Sequence, residues 1–358
     1  MIPGSQAGAR RWIHCFISAD ATARHPYLCW FLLVVLAWNV TGCGCVAAHA
    51  IAHAPNRYPT WFAPAAPVTL GLEDKFFTNF PTHFAEVGPP AARLRYRVIE
   101  PADYNLIVNS TNWVEKGKKR FQFDFDATIP APTNIWTAKP RGTVVLLHGY
   151  ALAQFAMAPW AIRLGQEGWR CVLVDLRGHG KSTGKTIYFG AREVTDLKQF
   201  LDTLERTNEV APPVDVIGDS YGAALALRWK GEDARIHAVV AMAPYASFSN
   251  ATMNIRNDYA SWFPKWWLEA GIAYLPSELQ VPAAEFDTTT VLRRKPVKAL
   301  FIAGEYDDIA PASDVKQLEA MAAPGSRLIV VPDATHESLT YYFDDLAGPI
   351  IEWLKKDE

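Results

Sequence analysis

The spacing of apolar positions changes along the chain. Residues 94–100 alternate bulky apolar and basic side chains, and residues 120–125 read Arg-Phe-Gln-Phe-Asp-Phe. A period of two predicts strands with one buried face. From Gly142 the pattern becomes strand, helix, strand, helix. Residues 143–147 are a continuous apolar run of the kind a strand covered on both faces needs, and 171–175 and 214–217 read as further strands. Residues 238–242, 299–303 and 328–331 supply further strands. Helical spacing recurs at 156–168, 191–206, 221–230, 314–321 and 339–356. This alternation predicts an α/β fold, a doubly wound and mostly parallel sheet with helices on both faces. One stretch breaks it. Residues 249–297 hold Trp262, Phe263, Trp266, Trp267 and Tyr274, punctuated by Pro264, Pro276 and Pro282. So long a structureless loop is unusual in a compact domain, so a small helical cap is expected there.

The first residues follow another logic. Arg10, Arg11 and Arg24 face one acid, Asp20, and an apolar run follows at 27–38. That order fits a secretory signal, and the run is shorter than the roughly 20 residues of a free-standing span. Its continuation, Asn39-Val40-Thr41-Gly42-Cys43, resembles the bacterial lipoprotein signal. The resemblance implies cleavage after Gly42, acylation of Cys43 and a place in the cell envelope, facing the periplasm or exterior. An uncleaved anchor stays open, because residues 26–48 carry no Asp, Glu, Lys or Arg, and so does an ordinary cleaved signal. Ala63-Pro64-Ala65-Ala66-Pro67 favours extended backbone. The expected organisation is an address at 1–42, a tether and entry segment at 43–92 and one domain at 93–358, with its cap at about 249–297.

Composition narrows the function. A chain of 358 residues that is 50% hydrophobic is too apolar to be disordered, and a net charge of -2 argues against a nucleic-acid binder. Four of the five cysteines lie in the first 45 residues. Cys171 is alone in the body, which leaves no disulfide framework and no cysteine-based zinc site there.

The strongest local signal is Gly218-Asp219-Ser220-Tyr221-Gly222, set between an expected strand and an expected helix. That context fits a nucleophile elbow, a turn so tight that glycines flank an exposed serine. A serine hydroxyl needs a base, and the base an orienting acid. After residue 92 the histidines are His148, His179, His237 and His336. His237 starts a buried strand, whereas His336 lies in a late loop after a strand, where a base could face Ser220. Asp307 and Asp308 follow another strand and both suit the acid, in the expected order Ser, Asp, His. Tyr221, next to the nucleophile, would supply one oxyanion N–H.

These pieces together resemble the α/β-hydrolase superfamily over residues 142–355. The matching segments are His148-Gly149-Tyr150, the run Asp175-Leu176-Arg177-Gly178-His179-Gly180-Lys181-Ser182, the elbow, residues 304–311, and Thr335-His336. The Gly-His-Gly-x-Ser segment and compact cap are similar to the lysophospholipase, monoacylglycerol lipase and serine-aminopeptidase-like branch. The resemblance implies that Asp307 is the acid and Tyr150 the second oxyanion donor, and that His148 and His179 organise their loops. It departs at Asp219, where lipases of this branch often carry histidine, and at Ala310, often valine. A serine hydrolase of lipid-like or small esters is expected, with no metal or cofactor. Trp262, Phe263, Trp266 and Trp267 would line an acyl pocket or simply pack the cap. A peptidase is the alternative, with Glu269, Glu278 and Glu285 as candidate partners for an amino group. A non-catalytic envelope lipoprotein is a third reading.

Overall fold

The structure is a computed structural model that describes residues 43–57, 76–115, 118–128 and 138–355. The address expected at 1–42 and the Ala-Pro stretch at 63–67 lie outside the described residues. Helix α1 (Cys43–Ala52) comes first. Strands β1 (His83–Val87), β2 (Ala92–Ile99), β3 (Asn105–Glu115), β4 (Lys118–Thr128) and β5 (Thr143–Leu147) follow. Then come α2 (Ala158–Gly165), β6 (Arg170–Val174), α3 (Glu193–Arg206), β7 (Val214–Asp219), α4 (Tyr221–Glu232) and β8 (Ile236–Met242). The cap holds α5 (Phe248–Tyr259), α6 (Lys265–Leu279) and α7 (Thr288–Arg294). Finally β9 (Leu300–Gly304), α8 (Ala312–Met321), β10 (Arg327–Val331) and α9 (Phe343–Lys355) complete the fold.

The main sheet has eight strands in the order β1-β2-β6-β5-β7-β8-β9-β10. From β6 to β10 all neighbours are parallel, while β1 and β2 run antiparallel at one edge. The expected α/β class and the cap before β9 are both present. The central strands show why their sequences are continuously apolar. In β5, Val145 and Leu147 enter one core and Val144 and Leu146 the other, all fully buried. Helices α3 and α4 cover the first face, and α2 and α9 the second.

Two features depart from the expected organisation. Strands β3 and β4 form a separate two-stranded ribbon rather than part of the main sheet. Its phenylalanine stripe turns inward. Phe123 stacks on Tyr341 with ring centroids 3.6 Å apart, and Phe125 packs on Phe76 and Phe155. The second concerns the tether and entry segment expected at 43–92. Residues 43–52 form α1, which packs along cap helix α6, and residues 83–87 pair with β2 as an edge strand of the sheet. Ala47, Ala48 and Ala52 are buried, and small side chains let α1 approach closely at Gly271. Among the described residues no helix is long and apolar enough to cross a membrane.

Candidate active site

The nucleophile elbow forms where β7 meets α4. A Cβ on Gly218 would stand 2.2 Å from the carbonyl oxygen of Gly222, and one on Gly222 would stand 2.3 Å from that of Leu147. Neither space admits a side chain, so both glycines are dictated by close approach. Ser220 itself takes φ 51, a strained value for a residue with a Cβ. Its N–H donates to Met242 O at 2.8 Å, which fixes the turn against β8.

The loops after β9 and β10 bring the partners. His336 Nε2 lies 2.9 Å from Ser220 Oγ, and its Nδ1 lies 2.8 Å from Asp307 Oδ2. A carboxylate only accepts, so Nδ1–H donates to Asp307 and Nε2 is left to accept from the serine hydroxyl. Asp307 Oδ1 takes N–H bonds from Ile309 at 2.9 Å and Ala310 at 2.7 Å, which hold the carboxylate in place. Asp307 is buried and Asp308 exposed, so the geometry separates the two acids that the sequence left side by side. Burial alone would lower the basicity of His336. The adjacent Asp307 charge and hydrogen bond outweigh it, helped by Asp219 and by Asp258 of α5, so the imidazole pKa is raised.

The other named residues fall around this chain of contacts. The turn 148–150 passes close to the elbow, since a Cβ on Gly149 would be 3.6 Å from Ser220 Cβ. Tyr150 directly follows Gly149 in that turn, and Tyr221 opens α4 immediately after the serine. His148 is fully buried and organises its loop. Its Nδ1 bonds Gly149 O at 2.8 Å, and its Nε2 accepts from Leu176 N at 3.1 Å. Burial pushes its pKa down to about 4, so the ring is neutral. His179 is likewise buried and bonds Arg177 O at 2.8 Å, with burial pushing its pKa to about 3. His237 pairs with Asp215 at 3.0 Å, away from Ser220 along β8. Among the described residues no group of three or more His, Cys, Asp or Glu could hold a metal ion.

The cap aromatics are not enclosed. Trp262 is 71% exposed and Trp266 51%, while Phe263 and Trp267 are half-buried. Trp262, Phe263 and Trp267 stack edge to face on one another. The cap is tied to the acid loop, since Asn254 donates to Ile309 O at 3.1 Å. Of the three glutamates considered as amine partners, Glu285 holds ion pairs with Arg228 and Arg294 and Glu269 one with Lys265, while Glu278 hydrogen-bonds His49 Nδ1 at 2.9 Å.

Sequence reasoning missed the linkage behind the Ser220–His336–Asp307 contacts. Asp219 Oδ1 accepts from Thr340 Oγ1 at 2.8 Å, both residues being buried. Lys119 of β4 pairs with Asp333 and lies over the Tyr306 ring at 3.4 Å, so the ribbon also reaches these loops. The departure at Asp219 was the one available signal. Nothing in the order of residues marks Thr340.

Comparison with known proteins bears on the fold and on family likeness. The profile of the family described as serine aminopeptidase, S33, matches residues 138–290. The uncharacterised protein YqkD of Bacillus subtilis is 25% identical over 198 residues, which is 54% of this chain and 64% of that protein. A monoacylglycerol lipase of Mycolicibacterium smegmatis is 32% identical over 111 residues, 28% of this chain and 38% of that protein. The chain thus spans less than two thirds of these curated relatives. A Pyrococcus furiosus esterase has the same fold at 20% identity, with a TM-score of 0.56 over 79% of this chain and 93% of that one. A Penicillium α/β hydrolase, GrgF, does so at 16% identity and TM-score 0.51, over 77% and 98%. By its sheet order and its elbow the chain has the α/β-hydrolase fold, and its residues 138–290 are similar to the serine aminopeptidase, S33, family.

Proposed function

We propose that the protein is a serine hydrolase that cleaves a carboxylic ester, lipid-like or small, through an acyl-enzyme. The observation that carries this is the unbroken contact chain from Ser220 Oγ through His336 to Asp307, at 2.9 and 2.8 Å. Ser220 attacks the acyl carbonyl as His336 Nε2 takes its proton, and Asp307 holds the resulting imidazolium. The N–H groups of Tyr150 and Tyr221 meet the oxyanion. His336 then returns the proton to the leaving alcohol. Water, giving its proton to the same nitrogen, attacks the acyl-enzyme and frees the acid and Ser220. The chemistry needs no metal or organic cofactor.

The monoacylglycerol lipase relative favours an ester, whereas the matched profile keeps a peptidase as second reading. Two of the cap glutamates argue against the latter, because Glu285 and Glu269 are already engaged by cations. A fluorophosphonate probe should label the wild type and not Ser220→Ala. Equal labelling of both would sink the enzyme reading. Nitrophenyl esters should turn over faster than aminoacyl-naphthylamides, and the reverse order would select the peptidase. For the N-terminus we keep the lipoprotein reading, with Cys43 acylated and the protein held at a membrane of the cell envelope.

A further inference from the structure

The triad reading leaves one buried acid beside the reacting groups without a role. Asp219 ends β7 and directly precedes Ser220. Its Oδ1 takes the hydroxyl of Thr340, and its Oδ2 would stand 3.1 Å from a Cβ on Gly149. One carboxylate therefore touches three parts of the site: the elbow, the turn that leads to Tyr150, and the loop that carries His336. Thr340 is itself pinned, since its carbonyl accepts the Trp160 indole N–H at 2.8 Å. At the other end of that loop, Thr335 and Ser338 bond one another. The loop is thus held at both ends, and the far end is held through Asp219.

We propose that Asp219 is a positioning residue for His336, acting through the Thr340 hydrogen bond and through its own negative charge. The proposal rests on the Ser220–His336–Asp307 reading and adds a fourth member to it. Charge in this pocket is scarce and one-sided. His336 faces Asp307, Asp219 and, from the cap, Asp258; Asp219 faces His336 and Asp307. Burial pushes the Asp219 pKa up to about 6, against the opposing pull of His336 and the Thr340 hydroxyl. The group is therefore an anion at neutral pH. An anion there stabilises the imidazolium formed when Ser220 gives up its proton. The hydrogen bond keeps the ring within reach of both partners.

Two variants separate the two actions. Asp219→Asn keeps the size and an acceptor oxygen for Thr340, and removes the charge. Thr340→Val keeps the size and the carboxylate, and removes the donor. The full-length chain, with 13C-labelled histidine, is titrated by NMR, and the His336 signal is assigned with His336→Gln. In Asp219→Asn the His336 titration should move down by about half a pH unit or more. The acid limb of kcat/KM for a nitrophenyl ester should follow it. In Thr340→Val, kcat should fall about three- to tenfold with KM little changed, as expected of an interaction that orients a general base. A His336 titration in Asp219→Asn that superposes on the wild type overturns the proposal, as does wild-type kcat in Thr340→Val. The titration does not need turnover. It decides the role of Asp219 even if fluorophosphonate labelling shows that the Ser220 reading itself fails.

Discussion

His336 carries opposing demands. Burial favours its neutral form, and the carboxylates around it favour the imidazolium, with the second effect prevailing. Proton acceptance requires the neutral ring. Because the pKa is raised, the rate should fall as the pH drops through a value above the ordinary histidine range, not below it. The pH profile of kcat/KM on a soluble ester reads this directly. An acid limb below that range would contradict the geometry. The paired acids give a second residue-scale expectation. Asp307→Asn should cost about 10³- to 10⁴-fold in kcat, because the ring loses its correct tautomer and orientation. Asp308→Asn, exposed and outside the contact chain, should stay within about twofold. By residue type these neighbours are equivalent, and in the sequence only the family resemblance favours Asp307. Only the N–H bonds of Ile309 and Ala310 show which carboxylate is turned inward and held.

At the scale of elements, packing between helices decides more than pattern. Helix α1 binds α6, and the chain beyond it clasps the loop after β6. Asn56 donates to Gly180 O at 3.1 Å and Ser182 O at 2.8 Å, and Ile187 N donates to Ala52 O at 2.8 Å. A Cβ on Gly271 would lie 2.7 Å from Ala47 Cβ and from Ile51 Cδ1. Gly271→Leu should therefore lift α1 from the cap at a cost of about 1–3 kcal/mol. Proteolysis should then cut after α1 sooner than in the wild type, and an unchanged digestion pattern would refute the clasp. The buried pair Arg95–Asp175, with Nε and Oδ2 2.7 Å apart, joins β2 to the end of β6. Arg95→Leu leaves that carboxylate uncompensated and should cost about 3–5 kcal/mol in chemical unfolding. Elements with strong periodicity were legible in the sequence. The runs at 143–147 and 214–217 are strands β5 and β7, because burial on both faces favours apolar residues at nearly every position, Asp215 excepted. Strand β1 escaped notice because its five residues include His83 and Glu86, and β3 because Asn, Ser and Thr interrupt its apolar residues. Each is recognisable as a strand only from its partner.

For the molecule as a whole, the start of α1 matters most. On the lipoprotein reading, an acyl group on Cys43 would join the membrane to the helix that packs on the cap. Cys43→Ser should release the protein from membranes and abolish fatty-acid labelling. Retention of the variant in the membrane fraction, without labelling, would favour the uncleaved span. By itself the sequence determined the α/β class, the strand-turn-helix setting of Ser220 and the positions where a base and an acid had to be sought. These follow from local periodicity and from residue types that tight turns demand. Only the tertiary structure decided that the Ile309 and Ala310 N–H groups hold Asp307 against His336, that Thr340 holds Asp219, and that residues 43–52 fold onto the cap. Those contacts join segments up to 229 residues apart, as His49 and Glu278 are. A linear pattern records the burial such contacts require but does not name the partner. The near-unbroken apolar run from 27 to 38 says that something must cover it, and the large exposed aromatics Trp262 and Trp266 show that the cap face is still open to solvent.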